Sequence, residues 1–218
     1  MRIALVRGGS VEEIDLVPSK IIGIGVNYRA HAVEMGKGLP EEPLMFLKPS
    51  SALISDGGQI QRPSGYERVD YEGELGVVIG QRARGVTREQ ALDVVMGFTC
   101  INDVSVRDLQ KKDGQWTRAK GFDTFCPLGP RIVAGLDPSK LRISTRVNGQ
   151  VRQDSSTADL IFGVPEIVAF VSSHMTLEPG DVISTGTPSG VGNLSVGDEV
   201  EVEIEGIGIL KNTVIARP

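Results

Sequence analysis

Residues 69–79 read Val69-Asp-Tyr-Glu72-Gly-Glu74-Leu-Gly-Val-Val-Ile79. β-Branched and aromatic residues dominate, so the run reads as a strand. Strand side chains alternate between faces, so Glu72 and Glu74 point the same way, with Cα atoms roughly 6.5–7 Å apart. The apolar continuation from Leu75 to Ile79 is not a solvated face. Two carboxylates buried together repel, and their pKa values move up. A divalent cation resolves that conflict. The same spacing also suits an edge strand with both glutamates in water, and spacing alone does not choose.

Further along, Gly97-Phe-Thr-Cys-Ile-Asn-Asp103 is a second apolar strand that ends in a carboxylate. Three oxygen ligands with no adjacent His or Cys favour a hard cation, Mg2+ first, then Mn2+ or Ca2+. A plain turn aspartate is the alternative for Asp103. More strands are expected at 2–6 and 11–16, a hairpin around Gly8-Gly9, and at 20–26, 44–47 and 57–62. Residues 141–153 form a hairpin whose Asn148-Gly149 suits a type I′ turn. Later strands fall at 182–185, 199–205 and 208–215. In the 199–205 strand Glu199, Glu201, Glu203 and Glu205 alternate with Val200, Val202 and Ile204, giving an acidic outer face.

Helical signals are few. A short helix runs from Asn27 to Met35 and closes at Gly36. Thr87-Arg-Glu-Gln90 is a capping box opening a helix to Met96. A polar helix covers 104–112, and Pro165 opens one that ends near Ser173. Leu-x-x-Gly-Asp occurs twice before an apolar strand, at Leu177–Asp181 and Leu194–Asp198. The pattern is that of a mostly antiparallel, turn-dense β architecture, without the βαβα alternation of a doubly wound sheet.

Composition narrows the function. The 218 residues suffice for one core, and 40% of them are hydrophobic. Glycine (27) and proline (12) are in excess, which fits many turns. The formal charge is −5 with no basic tract, so a nucleic-acid partner is not expected. No apolar run has the length of a membrane span or a signal peptide, so no membrane association is expected. Only Cys100 and Cys126 are present, which excludes a four-cysteine zinc site and suits a reducing, cytoplasmic setting.

The histidines are His31 and His174 alone. His31 and Glu34 are three positions apart and share a helix face. A carboxylate orients an imidazole and raises its basicity, the pairing used to activate water. An ordinary surface pair has the same spacing. His174 ends a helix, where a cation is favoured, and reads as structural. The glycine-rich segments fail the nucleotide tests. Gly23-Ile-Gly25 lacks the third glycine, because position 28 is Tyr28. Gly186-Thr-Pro-Ser-Gly-Val-Gly192 lacks Gly-Lys-Ser/Thr, though its backbone N–H groups and the Thr187 hydroxyl suit an anion. There is no GxSxG elbow.

Together these pieces resemble the fumarylacetoacetate hydrolase superfamily, in its short acylpyruvase-like branch. The resemblance runs from about residue 18 onward. It is carried by Gly25-Val-Asn-Tyr-Arg-Ala-His31 with Glu34, Phe46-Leu-Lys-Pro49, Asp70-Tyr-Glu-Gly-Glu-Leu75 and Asn102-Asp-Val-Ser-Val-Arg-Asp-Leu-Gln110. Trp116, Ala119-Lys-Gly-Phe-Asp123, Cys126-Pro-Leu-Gly-Pro130 and Pro179-Gly-Asp-Val-Ile-Ser-Thr-Gly-Thr-Pro-Ser-Gly-Val-Gly192 complete it.

The resemblance implies an α+β, mostly-β fold, a mixed β-sandwich roll with flanking short helices, assembled as a homodimer. Residues 18–218 would be one catalytic domain behind a short N-terminal hairpin, 1–17. It implies Mg2+ or Mn2+ on Glu72, Glu74 and Asp103, and a lid carrying His31 and Glu34. Lys120 matches the active-site lysine. Gln110, Thr187, Asn27 and Tyr28 fall in substrate-binding positions. Longer members have a further aspartate ligand before the Tyr-x-x-His region. Here that stretch is Gly25-Val26-Asn27, so three carboxylates are expected.

The implied substrate is a small 2-oxo or 2,4-diketo acid. The expected reaction is metal-dependent hydrolysis of its C–C bond to pyruvate and a carboxylic acid, with His31 activating water. The same enolate chemistry serves an oxaloacetate decarboxylase, or a keto–enol tautomerase or isomerase of 2-oxo dicarboxylic acids in aromatic catabolism. A non-enzymatic binding module is the contrasting class, and the intact set of three carboxylates, Lys120 and His31 argues against it.

Overall fold

The computed structural model describes residues 1–36 and 38–218. The stretch around Glu72 sets the architecture, but not as one strand. It divides into Val69–Tyr71 and Gly73–Ile79, which belong to different sheets. The cause is local. The backbone N–H of Glu72 donates to Asn102 Oδ1 at 2.9 Å, and that of Gly73 donates to Gln153 Oε1 at 3.0 Å. Two successive donors taken by side chains interrupt the ladder there.

Gly73–Ile79 lies inside a nine-stranded sheet, antiparallel to both Val95–Asn102 and Val182–Ser184. Ile21–Gly25 and the edge strand Leu44–Lys48 continue the sheet on one side. Cys126–Val133 and the N-terminal hairpin, Arg2–Arg7 with Ser10–Asp15, continue it on the other. The hairpin joins by parallel pairing, as do three further strand pairs among the described residues, so the sheets are mixed while most pairs are antiparallel, as expected.

A five-stranded sheet faces this one, in the order Gln150–Ser156, Arg142–Val147, Glu199–Ile204, Gly208–Ala216, Gln59–Arg62. Leu75, Val77 and Phe98 from one sheet meet Ile143, Val202 and Leu210 from the other in one core. That interleaving of inner faces makes a sandwich. The helix Val164–His174 closes the core with Ile167, Val168 and Val171. Three shorter helices, Arg29–Glu34, Arg107–Asp113 and Thr117–Lys120, flank the sheets. The chain is thus an α+β, mostly-β sandwich with flanking short helices, as the sequence implied.

Several local expectations are met. Asn148 (φ 52°) and Gly149 (φ 76°) form the left-handed pair of the hairpin turn. Val200, Val202 and Ile204 are buried while the glutamates between them are not. Asp181 and Asp198 close their Leu-x-x-Gly-Asp turns by accepting from Glu178 N at 2.8 Å and Ser195 N at 2.7 Å. The helix expected after Thr87 is not formed. Gln90 does accept from Thr87 N at 3.1 Å, but only a 3-10 turn, Ala91–Val94, follows. Val94 O is instead taken by Gly80 N and Gln81 N, and the chain enters a strand at Val95.

Candidate active site

The break at Glu72 brings the carboxylates together. Ligand oxygens of Glu72, Glu74 and Asp103 lie within 4.8 Å of one another, and all three residues are buried. Gly73 between them has no room for a side chain, since a Cβ there would stand 2.1 Å from Thr145 Oγ1.

Cations neutralise two of the three acids. Lys120 Nζ donates to Glu72 Oε2 and to Asp103 Oδ2, each at 2.6 Å. Lys48 Nζ donates to Asp103 Oδ1 at 2.5 Å. Arg107 reaches Glu72 Oε1 at 2.6 Å and Asp70 Oδ2 at 2.8 Å. Burial pushes the Glu72 carboxyl up, but Lys120 and Arg107 outweigh it and hold the group well below the usual carboxylate range. Burial also works against charge on Lys120, yet Asp103 and Glu72 raise its pKa, so it is an ammonium.

Glu74 has no such partner among the described residues. Its Oε2 accepts from Ser184 Oγ at 2.6 Å and from Gly186 N at 2.7 Å. Burial, then the charges of Asp103 and Glu72, push its pKa well above the usual range. A buried carboxylate beside two others, with no cation of its own among the described residues, fits a hard divalent cation. Glu72, Glu74 and Asp103 would hold it.

The helix Arg29–Glu34 covers this cluster. His31 is buried, and its Nδ1 lies 2.9 Å from Glu34 Oε2. Glu34 Oε1 accepts from Gly190 N at 3.0 Å, which anchors the pair to the loop after Thr187. With Nδ1 donating to Glu34, Nε2 carries the lone pair. His31, Glu72, Glu74, Gln110, Lys120 and Thr187 line one cavity of about 20 Å3, room for about one water. Phe46 and Trp116 wall it, ring centroids 5.4 Å apart, with Lys120 Nζ 4.9 Å from the Phe46 ring.

Asn27 and Tyr28 are placed otherwise. Neither lines the cavity. Val26 takes a positive φ of 56°, and the chain then turns both side chains inward. Asn27 latches the site from behind, donating to Phe162 O and Thr185 O and accepting from Phe162 N. Tyr28 packs in the main core. Thr187 lines the cavity, with its hydroxyl donating to Gly73 O at 2.9 Å. The thiols of Cys100 and Cys126 are both pushed up to about 12 by burial, so neither is a nucleophile. His174 is exposed at its helix end, with Nδ1 2.8 Å from Phe170 O, and remains structural.

Lys48, Ser184 and Gln153 belong to the site, and the sequence alone assigns them no role. Lys48 had a faint signal, a lysine closing an apolar strand. Gln153 had none, lying in a polar edge strand.

Fold and site together define a mostly-β enzyme scaffold with a buried acidic cluster under a histidine-bearing helix. A model of the fumarylacetoacetate (FAA) hydrolase C-terminal family matches residues 20–215. The chain belongs to that family and is an enzyme of its superfamily. It is 51% identical to the crystal structure of a 5-carboxymethyl-2-hydroxymuconate delta-isomerase from Mycobacterium smegmatis, with a TM-score of 0.88 over 93% of this chain and 81% of that one. It is 44% identical to the oxaloacetate tautomerase YisK of Bacillus subtilis, over 90% of this chain and 70% of the relative. It is 32% identical to a fumarylpyruvate hydrolase of Pseudomonas aeruginosa solved with Mn2+ and pyruvate, with a TM-score of 0.90 over 99% and 97%. No helix among the described residues is long and apolar enough to cross a membrane.

Proposed function

We propose that the chain is a divalent-metal-dependent tautomerase or isomerase that interconverts keto and enol forms of 2-oxo acids, oxaloacetate among them. The observation that carries this reading is that His31, held by Glu34, lines one cavity with Glu72 and Glu74 of the Glu72, Glu74 and Asp103 cluster. Enolisation needs a base for the proton beside the oxo group and a sink for the charge that forms. Mg2+ or Mn2+, when bound, supplies the Lewis acidity that takes up this charge on the 2-oxo oxygen. His31 Nε2 takes the C3 proton, Glu34 stabilises the imidazolium through Nδ1, and the imidazolium returns that proton to the 2-oxygen to give the enol, the reverse order giving the keto form. Lys120 adds a fixed positive charge beside the cluster. Gln110 and Thr187 meet the substrate's polar atoms. The identities to a tautomerase (44%) and an isomerase (51%) exceed that to the hydrolase and support this order of preference.

Hydrolysis of 2,4-diketo acids is the second reading, supported by the near-complete overlap with the fumarylpyruvate hydrolase. It shares the enolate and additionally needs a water on His31. The test is a panel of enol oxaloacetate, acetylpyruvate and fumarylpyruvate with Mg2+ or Mn2+. Loss of enol absorbance without products supports tautomerisation. Pyruvate plus an acid overturns it in favour of hydrolysis, and CO2 in favour of decarboxylation. We further infer that residues 18–218 form the catalytic unit, that the hairpin 1–17 extends its sheet, and that the protein acts as a cytoplasmic homodimer without nucleic acid.

A further inference from the structure

A second cavity of about 530 Å3 opens outside the small one, and Met35, Arg107, Gln110 and Trp116 line both. It is the room available to the part of a substrate that lies beyond the reacting carbons. Its walls differ sharply in chemistry. Met35, Trp116 and Val191 are apolar. The polar side carries Arg68, Gln110 and Lys111.

These polar groups are donors with capacity to spare. Lys111 is exposed and makes no hydrogen bond or ion pair among the described residues. It follows Arg107 by one helical turn, so both share a face of the helix Arg107–Asp113. Gln110 accepts from Arg107 Nη1 at 2.8 Å, which leaves its amide N–H2 unused. Arg68 holds Asp70 Oδ2 at 2.6 Å and is half exposed. Among the described lining residues the one acid, Glu34, has both oxygens engaged, by His31 and by Gly190 N. An incoming anion therefore meets cationic and amide donors and no unengaged carboxylate oxygen.

We propose that this outer cleft is a tail subsite for the distal carboxylate of a dicarboxylic 2-oxo acid, with Lys111 and Arg68 as its specificity-determining cations. The proposal rests on the reading of the inner site as a 2-oxo acid enzyme. An apolar stem would lie along Met35, Trp116 and Val191, and its terminal carboxylate would reach Lys111, Gln110 and Arg68. A monocarboxylic analogue leaves those donors without a partner.

The test uses a matched pair, 2,4-dioxoheptanedioate and 2,4-dioxoheptanoate, which differ only in a terminal carboxylate against a methyl group. Consumption of the enol is followed by absorbance with Mn2+ present, which records tautomerisation and cleavage alike. The intact protein is expected to favour the diacid in kcat/KM. Lys111→Gln is expected to lower the diacid-to-monoacid ratio about tenfold or more, chiefly through KM, because a charged hydrogen bond is lost. Lys111→Arg is expected to restore most of it. Arg68 also supports Asp70, so Arg68→Gln is read by the same ratio together with its melting temperature. An unchanged ratio in both Lys111→Gln and a folded Arg68→Gln overturns the subsite. Failure of the intact protein to consume either compound overturns the reading of the inner site instead.

Discussion

Gln153 Nε2 donates to Thr187 Oγ1 at 2.8 Å while Gln153 Oε1 accepts from Gly73 N at 3.0 Å. One buried amide thus ties the backbone between two carboxylates to the loop that lines the cavity. A third bond runs from Nε2 to Pro188 O at 2.8 Å. Gln153→Leu leaves buried polar groups without partners and is expected to cost roughly 2–4 kcal/mol. Denaturant unfolding checks the stability, and Mn2+ titration of the folded variant is expected to show weaker binding. Unchanged values in both measurements contradict the positioning role.

His31→Ala removes the proton acceptor but none of the acidic cluster. We expect enolisation to fall about 10²–10⁴-fold with metal affinity kept. Glu34→Gln, which keeps the shape but loses the charge, is expected to fall less. Turnover at the intact rate in His31→Ala, measured alongside Mn2+ binding, rules out this base.

Among the described residues, Glu74 is the cluster carboxylate without a cation partner. Glu74→Gln removes a charge that the metal-free fold holds at a cost, while a side-chain oxygen still accepts from Ser184 and Gly186. The expected result is a melting temperature that rises, or holds, without metal, and loses its increase on adding Mn2+. A variant that still gains stability from Mn2+ as the intact protein does would sink the assignment of Glu74 as a ligand.

Asp181 supplies a pH signature away from the site. Its side chain is fully buried and accepts from Ser19 N, Ser19 Oγ, Lys20 N and Glu178 N. Burial pushes its pKa up, but these bonds and Lys20 outweigh it, so the folded value is depressed. A depressed carboxylate stabilises the fold above its unfolded pKa, and that stability fades as pH falls through the folded value. Asp181→Asn is expected to lower stability at neutral pH by roughly 1–3 kcal/mol and to flatten its decline on acidification below about pH 4. Parallel pH profiles for the two proteins would contradict this.

The acidic cluster was legible in the sequence because its residue types are unusual where they stand. Glu74 lies in a strand that is otherwise apolar, Glu72 and Asp103 adjoin largely apolar strands, and His31 with Glu34 shows helical spacing. The break at Glu72 was not legible. Its cause is two side chains, Asn102 and Gln153, that arrive from other strands. Lys48 and Ser184 fall in the quoted motifs, but their contact with the cluster is not legible for the same reason, since each reaches it only through sheet pairing across the chain. Asn27 and Tyr28 sit beside His31 in sequence but behind the cavity in space. The positive φ of Val26 separates them, and no residue pattern announces it. The helix after Thr87 failed because tertiary bonds to Val94 O overrode a correct local cap.

Metal-dependent enolisation at one site underlies the proposed function. Its most direct measurement is the decay of enol oxaloacetate absorbance with the protein and Mn2+, with the protein and a chelator, and with Mn2+ alone. We predict fast decay only in the first, without pyruvate or CO2 at matching rate, and full recovery when Mn2+ is returned after chelation. Decay no faster than with Mn2+ alone, or equally fast under chelator, would contradict it.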